Sequence, residues 1–460
     1  MNTKLFNISA LCIILLTVVN FSSAQIIEGE GGRSVAVCNT GTVQSWGNNA
    51  SGQIGDGTII DRWTPVQVNM LTGITAIGGG NYHSLAVKND GTVWSWGLNN
   101  GGQLGDGTLF DSWTPVQVST LSGMTAVTGG FSHSLALKND GTVWSWGWNN
   151  EGQLGDGTNI QRTTPVQVSL LTGIIAIAAG EHFSLAVKNN GTVWAWGLNS
   201  YGQLGDSTMT NSNIPVQVHL ITGVTAVTAG QYYSLALKND STLWAWGNGQ
   251  DGQLGNGMLT SSTTPVQVST LTGIIAIAGG WRHSLALKND STVWAWGLNS
   301  NGQIGDGTIT LRTTPVQVSN LTGITAVEAG TGHSLALKNN GTLWAWGANN
   351  LGQLGDGTNT VRHTPVQVIG LCTIGTTGIE ILEQQGDISV YPNPTADGQI
   401  NIGSSGSIDE IKITNLLGQI IYQTKPDANN FSLQLDETGI YFIQITADRK
   451  TITKKLIVCK

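Results

Sequence analysis

The chain has 460 residues and a formal net charge of −8, and 63 of its residues are glycine, about twice the usual share. Charged residues make up only 10% of the sequence and hydrophobic residues 40%, which excludes an extensively disordered chain and allows a large core. The acidic balance argues against a nucleic-acid partner, because neutralising phosphates requires clustered lysine and arginine. The glycine content predicts many tight turns and few helices.

Residues 1–24 have the pattern of a secretory signal peptide. Lys4 supplies a positive charge, Ile8 to Val19 form an apolar run, and small residues precede the expected cleavage before Gln25. The apolar run is too short to span a bilayer, and we predict no transmembrane segment elsewhere. We therefore expect an exported chain.

Cleavage of the signal peptide removes Cys12 and leaves Cys38, Cys372 and Cys459. Three scattered cysteines match neither a disulfide framework nor a zinc site. Cys38 and Cys372 either form a bridge or remain isolated thiols, and we favour isolated thiols.

An internal repeat dominates the chain from about residue 31 to residue 368. Three phrases return in it, typified by His83–Gly97, Gly102–Thr108 and Thr114–Val118. The dipeptide Trp-Gly recurs seven times at a spacing of 50 residues, at Trp46, Trp96, Trp146, Trp196, Trp246, Trp296 and Trp346.

Each repeat predicts four short strands, exemplified by Ile74–Ile77, Ser84–Lys88, Thr92–Gly97 and Val116–Val118. The Asn-Asp-Gly turns between alternating runs are hairpin signals. Four antiparallel strands copied seven times predict an all-β, seven-bladed β-propeller at residues 25–372.

The alternation of side chains predicts how the blades pack. Trp94 and Trp96 project from one face of a strand and Ser95 from the other. We expect each blade to have one bulky face and one face of small residues, with the tryptophans mostly in the core. The first repeat departs from the pattern, because Gln44 stands where the first tryptophan is expected.

The ends of the repeat array predict how the ring closes. The last repeat is followed by no clean copy of the Ile-x-Ala-Ile strand, whereas Ile26–Gly29 aligns with Ala76–Gly79 at the same 50-residue offset. We expect this first segment to complete the last blade, so that a shared sheet joins the ring non-covalently.

The phrases Gly-x-x-His-Ser-Leu-Ala-Leu, Trp-x-Trp-Gly and Gly-Gln-Leu-Gly-Asp-Gly resemble the repeat of the regulator of chromosome condensation family. The resemblance covers all seven repeats and implies a seven-bladed propeller. The founding member of that family is a nuclear guanine-nucleotide exchange factor. An exported, acidic chain without a basic tail does not fit that role.

The repeats differ from one another mainly on one rim, which receives the loop before His83 and the long loop after Gly97. Aromatic residues and arginine gather there, and these residue types anchor interfaces. We predict a surface that binds a protein or a glycan; neutral drift of exposed loops is the alternative. The candidate binding residues are Tyr82, Phe131, His182, Tyr232, Trp281, Arg282, Trp63, Trp113 and Trp148.

Two recurring polar positions invite a functional interpretation. The histidines at 83, 133, 283 and 333 resemble a metal ring, but Phe183 and Tyr233 replace them in other copies, so we expect structural hydrogen bonds. The aspartates of the Gly-Asp-Gly turns, such as Asp106, are expected to cap the backbone. We therefore predict no metal, no cofactor and no catalytic residue.

The composition changes after Cys372, and a linker at 373–386 precedes a second domain at 387–460. Its apolar runs predict seven short strands and a small β-sandwich. The predicted strands are Ile388–Tyr391, Ile400–Ile402, Ile408–Thr414, Gln419–Tyr422, Phe431–Leu435, Gly439–Thr446 and Thr451–Val458.

This second domain resembles the type A C-terminal sorting domain of the type IX secretion system of Bacteroidetes. The resemblance implies the type IX machinery as a partner, export across both membranes, and either attachment to surface lipopolysaccharide or release. The matching residues include Tyr391, Pro392, Asn393, Pro394, Gly418, Gly439, Tyr441, Lys454 and Lys455.

Together these features predict an exported binding protein that is not an enzyme. The main alternative is an extracellular hydrolase or lyase that acts on polysaccharide, which a cluster of non-repeated acidic residues in the central channel would favour. A purely structural surface protein is a third alternative.

Overall fold

The computed structural model describes residues 26–269, 271–374, 388–391, 399–415, 419–437, 439–447 and 450–458. The predicted signal peptide and most of the predicted linker lie outside these residues. The chain divides into two compact units, Met1–Thr377 and Gly378–Lys460. Within the described ranges, no helix is long and apolar enough to cross a membrane.

The first unit contains seven sheets of four antiparallel strands, which confirms the predicted seven-bladed propeller. The chain passes through an inner, a second, a third and an outer strand in each blade, and the blades use contiguous segments. In chain order the strands are Ile27–Glu28, Arg33–Val37, Val43–Gly47, Arg62–Gln67; Ile74–Gly79, His83–Lys88, Val93–Gly97, Ser112–Gln117; Met124–Gly129, His133–Lys138, Val143–Gly147, Arg162–Gln167; Ile174–Ala179, Phe183–Lys188, Val193–Gly197, Ser212–Gln217; Val224–Ala229, Tyr233–Lys238, Leu243–Gly247, Ser262–Gln267; Ile274–Gly279, His283–Lys288, Val293–Gly297, Arg312–Gln317; and Ile324–Ala329, His333–Lys338, Leu343–Gly347, Arg362–Gln367.

The outer strand is longer than the sequence predicts. It begins at Ser112 and runs through Pro115, whereas the predicted strand begins after the proline. On this edge strand, Pro115 lies where the ladder to the third strand is interrupted, between the Ser95–Val116 and Gly97–Ser112 pairs, so its missing N–H removes no ladder bond. A strand can therefore begin before the proline at this position.

Large and small side chains alternate on both faces of a blade. Ser84 lies opposite Trp96 on neighbouring strands, and Leu85 lies opposite Ser95. Trp96 packs against the preceding blade, and Leu85 packs against the following one. The prediction of one bulky and one small face is therefore wrong, because each large side chain is accommodated by a small partner across the strand.

The second tryptophan of each repeat is fully buried, which confirms its expected place in the core. Its indole also bonds to the neighbouring blade: Trp96 Nε1 donates to the Gln53 carbonyl oxygen at 2.9 Å. The same oxygen accepts from Ser84 Oγ at 2.8 Å. This pair of bonds recurs at all seven blade junctions.

The ring does not close as the sequence predicts. Ile27–Glu28 pairs with Arg33–Val37 and is the inner strand of the first blade, so it does not complete the last one. The segment after the last outer strand instead returns to the first blade. There Cys372 N donates to Gln44 Oε1 at 2.7 Å, and Asn39 N donates to the Thr373 carbonyl oxygen at 2.9 Å. Gln44, which interrupts the tryptophan pattern, thus serves ring closure.

A disulfide joins Cys38 to Cys372 across this closure, over a sequence separation of 334 residues. The expectation of isolated thiols is therefore wrong. Cys38 occupies the place that lysine holds in the other six repeats, such as Lys88. The bridge is covalent, whereas the sequence predicted a non-covalent closure.

The described residues of the second unit also form strands, with six in a single pairing network. The predicted strands 400–402 and 408–414 are one strand, which shifts register between Gly403 and Ile408 and pairs with several partners. Tyr441 is buried in its core, and its hydroxyl donates to the Glu437 carbonyl oxygen at 3.0 Å. The strands are Ile388–Tyr391, Gln399–Asn415, Ile420–Thr424, Ala428–Gln434, Gly439–Ala447 and Lys450–Val458.

Several sorting residues have a defined place in these strands. Tyr391 ends the first strand, Gly439 begins the fifth, and Lys454 and Lys455 lie in the last. Residues 392–394 and 418 lie outside the described residues.

We predict that the disulfide stabilises the closed ring by about 2–4 kcal/mol, because it restricts a very long loop of the unfolded chain. Replacing both cysteines (Cys38→Ser with Cys372→Ser) should lower the melting temperature by several degrees. Thermal unfolding with and without reductant measures this effect.

Cys459→Ser is the control, because it leaves the bridge intact and should melt like the parent. Reductant should destabilise the parent and this control but not the double variant. A parent melting temperature that does not respond to reductant would contradict the prediction.

Candidate functional site

Antiparallel pairing sends the loops of each blade to two opposite rims. We call one the long-loop rim; in the second blade it carries residues 80–82 and 98–111. The two loops touch, since Leu98 N donates to the Tyr82 carbonyl oxygen at 2.9 Å. The opposite, short-turn rim carries residues 89–92 and 118–123 of the same blade.

Side-chain bonds to the backbone hold each long loop. Asn99 Nδ2 donates to the Phe110 carbonyl oxygen at 3.1 Å, and its Oδ1 accepts from Leu104 N at 2.9 Å. Asp106 Oδ1 accepts from Thr108 N at 2.9 Å, which confirms the predicted capping role. The same cap forms at Asp56, Asp106, Asp156, Asp206, Asp306 and Asp356. The loops therefore present their exposed side chains from a fixed framework.

Three of the predicted binding residues form a continuous aromatic contact across three blades. The ring centroids of Tyr82 and Phe131 are 5.4 Å apart with the rings nearly perpendicular. Those of Phe131 and His182 are 5.6 Å apart. These separations are in the range where aromatic rings attract each other.

Tyr232 continues this surface on the next blade. It stacks on Tyr201, which belongs to the long loop of the fourth blade, with centroids 5.1 Å apart. Burial, followed by the charge of Glu181, raises the pKa of Tyr232 to about 12. Glu181 Oε1 also lies 3.8 Å from His182 Nε2. Glu181 thus links the two groups of rings.

The sixth blade contributes Trp281 and Arg282. The Trp281 side chain is 36% exposed. Arg282 Nε donates to Gln231 Oε1 at 3.0 Å, and its Nη1 lies 3.4 Å from Asp251 Oδ2. We call the following set the aromatic arc: Tyr82, Phe131, His182, Tyr201, Tyr232, Trp281 and Arg282.

Backbone bonds between consecutive loops support the arc. Phe131 N donates to the Glu181 carbonyl oxygen at 2.9 Å, and Glu181 N donates to that of Gln231 at 3.2 Å. Gln231 N in turn donates to the Trp281 carbonyl oxygen at 3.0 Å. The spacing of the arc residues is therefore set by the backbone of the ring. The positions of Asn81 and Tyr82 are occupied by Gly31-Gly32 in the first blade and by Thr331-Gly332 in the last. The arc therefore covers one side of the rim.

The other three predicted tryptophans lie outside the arc. Trp63 and Trp113 are at the start of outer strands. The backbone carbonyl oxygen of each accepts a hydrogen bond from a glycine N–H in the long loop of the preceding blade. The Trp113 side chain, 48% exposed, lies so close to Gly52 that a Cβ there would overlap the indole. Trp148 is half-buried at the beginning of the third long loop.

Apolar side chains are exposed at the long-loop tips. Phe110 is 81% exposed. The first two blades each present two such residues, Ile59 and Ile60 in one and Leu109 and Phe110 in the other, and the fifth blade presents Met258 and Leu259. Each of the other blades presents at most one.

The inner strands surround a central channel of about 370 Å³. Its lining is mostly alanine, valine, isoleucine and threonine, and its charged side chains are Glu28, Glu30 and Glu328. Glu28 and Glu328 occupy the same repeat position, which holds glycine, threonine or alanine in the other five repeats. Glycine occupies the position of Glu30 in the other six repeats, where a Cβ at Gly80, for example, would overlap the Gly130 carbonyl oxygen.

A buried arginine accompanies the channel acids. Arg33 Nη1 donates to the Gly80 carbonyl oxygen at 2.7 Å, and Nη2 donates to that of His83 at 2.8 Å. Burial lowers the pKa of Arg33 to about 10, although the negative charges of Glu28 and Glu30 act to raise it. Burial and then the charge of Glu28 raise the pKa of Glu30 well above its ordinary value.

The recurring histidines bond to the next blade, as the sequence predicted. His83 Nε2 lies 2.8 Å from Ser134 Oγ, and equivalent bonds of 2.9–3.0 Å form at His133, His283 and His333. Tyr233 bonds to the following blade by its hydroxyl instead. Among the residues that the structure describes, no group of three or more His, Cys, Asp or Glu could hold a metal ion.

Reasoning from the sequence did not find Tyr201, Arg33 or the three channel glutamates. Comparing the repeats position by position would have found Arg33 and Glu30, because each interrupts an otherwise regular position. Tyr201 gives no such signal, since the corresponding loop position varies in every repeat.

These features define a seven-bladed propeller of fifty-residue repeats followed by a strand-rich domain. The family model for the RCC1-like domain matches residues 21–225 and 161–383, so the chain belongs to the RCC1-like domain family. Residues 389–459 match the secretion system C-terminal sorting domain. Both resemblances seen in the sequence are thereby confirmed.

Solved structures show the same fold. Human WBSCR16 is 23% identical with a TM-score of 0.66, and the similarity covers 71% of this chain and 94% of that one. Prp20p from Saccharomyces cerevisiae is 24% identical with a TM-score of 0.64, covering 80% of this chain and 89% of that one.

One curated relative has a much shorter match. The ulvan lyase NLR42 of Nonlabens ulvanivorans is 38% identical over an alignment of 82 residues that covers 16% of this chain. The chain spans only 15% of the length of this lyase.

We predict that the buried histidines make the propeller sensitive to acid. Burial lowers the pKa of His133 to about 3, so the unfolded chain takes up the proton first as pH falls below about 6.5. At pH 5 each such histidine should destabilise the fold by about 2 kcal/mol relative to pH 7. Replacing His133→Phe should remove one of these contributions, and Phe183 shows that phenylalanine fits the position.

Urea unfolding of the parent and the variant at pH 7 and pH 5 measures the difference. Phe183→Tyr is the control, because the buried Tyr233 shows that tyrosine fits the equivalent position and the substitution adds or removes no group that titrates between pH 5 and pH 7. It should leave the pH dependence unchanged. Equal pH dependence of His133→Phe and the parent would refute the prediction.

Proposed function

We propose that this chain is an exported, non-catalytic binding protein whose long-loop rim holds a protein or glycan ligand. The aromatic arc carries the proposal. Tyrosine, tryptophan and arginine dominate binding energy where they are well packed, and the arc combines these types over five consecutive blades. The ligand that binds this surface need not resemble the ligand of any relative, because propellers host many functions.

The framework beneath the arc supports the proposal. The loops are fixed by their asparagine and aspartate caps and by the bonds between neighbouring loops. A ligand would therefore meet side chains that have already lost much of their freedom, which lowers the entropic cost of binding.

The C-terminal domain indicates where the propeller would encounter its ligand. The sorting domain implies export to the cell surface or the extracellular space. We propose that the type IX machinery recognises this domain, and that the propeller is then either attached to surface lipopolysaccharide or released.

A second candidate function is an enzyme that acts on polysaccharide. Glu28, Glu30 and Glu328 are the channel acids that favour this alternative, because catalysis of glycosidic cleavage commonly uses paired carboxyl groups. Glu28 is only 4% exposed, however, and a polymer would need to reach it within the channel. The accessible aromatic arc therefore makes binding the better-supported function.

We predict that ligands of the chain depend on the arc. A displayed peptide library and a glycan array are each probed with the parent and with a variant carrying Tyr82→Ser, Phe131→Ser, Tyr232→Ser and Trp281→Ser. Binding to the parent should fall at least about tenfold in this variant, as expected when several anchors are lost.

The control variant carries Met70→Ser, Leu170→Ser and Leu220→Ser, which remove three exposed apolar side chains from the short-turn rim. It should bind like the parent. Ligands that are lost from this control but kept by the arc variant would contradict the proposal.

The enzyme alternative predicts a different result. Incubation of the chain with a panel of acidic and neutral polysaccharides should then release new reducing ends, and Glu328→Gln should abolish the release. Absence of release from the whole panel would count against the enzyme, and release that requires Glu328 would replace the binding proposal.

A further inference from the structure

The short-turn rim carries exposed apolar side chains at positions that do not favour them. Met70, Leu170 and Leu220 each stand in a connection between two blades, and they are 83–101% exposed. Their φ angles lie between 51° and 61°, in the left-handed region. Other repeats place Asn320 and Gly370 at this position, and asparagine and glycine adopt that conformation readily. Neither packing within the chain nor backbone preference accounts for the three apolar residues, so they point to a surface outside the chain.

The distribution of these three residues favours a lipid surface over a protein. They lie between blades one and two, three and four, and four and five, so they are spread around the rim. The residue before each of them is polar: Asn69, Ser169 and His219. A protein partner would need a separate matching pocket for each apolar side chain, whereas the boundary between lipid headgroups and acyl chains accepts them at any spacing.

Lysines surround the same rim. One lysine ends the second strand in six blades, and in five of them its Nζ lies 5.3–5.8 Å from the centroid of a tryptophan ring. Aspartate follows two residues later in four blades, but Asn190 and Asn340 stand there beside Lys188 and Lys338. The short turns and blade connections contain no other aspartate, glutamate, lysine or arginine, so this rim has a formal charge of +2. The lysines are Lys88, Lys138, Lys188, Lys238, Lys288 and Lys338.

The long-loop rim has the opposite charge. Its loops contain twelve aspartates and glutamates against one arginine, and four of these acids pair with an arginine of an outer strand. The loops therefore keep an excess of carboxylates. An anionic surface repels this rim and attracts the short-turn rim, so the charge asymmetry of the propeller determines which rim such a surface contacts.

The chain also leaves the propeller from the short-turn rim. The last outer strand, Arg362–Gln367, ends there, and Asn39 N in the short turn of the first blade donates to the Thr373 carbonyl oxygen at 2.9 Å. Ile374, the next residue, is 2% exposed and packs in the core. The sorting domain follows at residues 389–459. In the attached form proposed above, the tether to the cell surface therefore leaves the propeller from the rim that carries the lysines and the exposed apolar residues.

We propose that the short-turn rim docks on the headgroup layer of an anionic lipid bilayer. Met70, Leu170 and Leu220 enter this layer, and the lysines, above all Lys188 and Lys338, lie against the lipid phosphates. The aromatic arc on the opposite rim then faces away from the bilayer. This inference goes beyond the ligand binding proposed for the long-loop rim, and it rests on the proposed location at the cell surface.

Flotation of the full chain with lipid vesicles tests the inference. The vesicles consist of phosphatidylcholine with about 30% phosphatidylglycerol, or of phosphatidylcholine alone. The parent should bind the anionic vesicles more strongly, and high salt should weaken this binding. A variant with Met70→Ser, Leu170→Ser and Leu220→Ser should bind at least about tenfold more weakly, because three apolar side chains no longer enter the lipid. A variant with Lys188→Gln and Lys338→Gln should lose the preference for anionic vesicles.

The matched control carries Ile59→Ser, Leu109→Ser and Phe110→Ser, which remove three exposed apolar side chains from the long-loop tips. It should bind vesicles like the parent. A parent that binds neither kind of vesicle, or a control that loses as much binding as the short-turn variant, overturns the inference. Binding to isolated cell-surface membranes that is abolished by protease treatment of those membranes, without binding to vesicles, overturns it in favour of a protein partner. Either result leaves the ligand binding of the aromatic arc intact.

Discussion

The propeller depends on one contact that is repeated at every blade junction. The carbonyl oxygen of a buried glutamine, such as Gln53, accepts both the indole N–H and the serine hydroxyl of the next blade, Trp96 and Ser84. An insertion or deletion within the strands that carry these residues would displace donor from acceptor and leave buried polar groups unpaired. The contact recurs at the same 50-residue spacing as the repeat.

The same arrangement frees the neighbouring residues to vary. Position 83 and its equivalents point into the junction, where His83 bonds to Ser134 of the next blade. The two residues before it, Asn81 and Tyr82, face the rim and carry no part of that bond. Variation at these two positions can therefore change what the rim contacts without weakening the ring. The aromatic arc is built almost entirely from such positions.

Local features could be predicted from the sequence, and contacts between distant residues could not. The strands recur in all seven repeats, the capping aspartates in six and the bonding histidines in four, so their roles are visible without a structure. The residues that close the ring, in contrast, each occur in one repeat only. Nothing in the local sequence shows that Cys372 returns to Cys38 or that Gln44 accepts its N–H. The candidate site lies between these cases: the rim was predicted, but the contact of Tyr201 with Tyr232 joins two loops and appears only in the fold.

Hydrogen–deuterium exchange with and without a ligand selected on the chain tests most directly whether the long-loop rim is the binding surface. Exchange should slow at residues 80–82, 130–132, 180–182, 230–232 and 280–282, and the short turns such as 89–92 should remain unchanged. Protection confined to the short turns, or to the inner strands that line the channel, would contradict a binding surface on the aromatic arc.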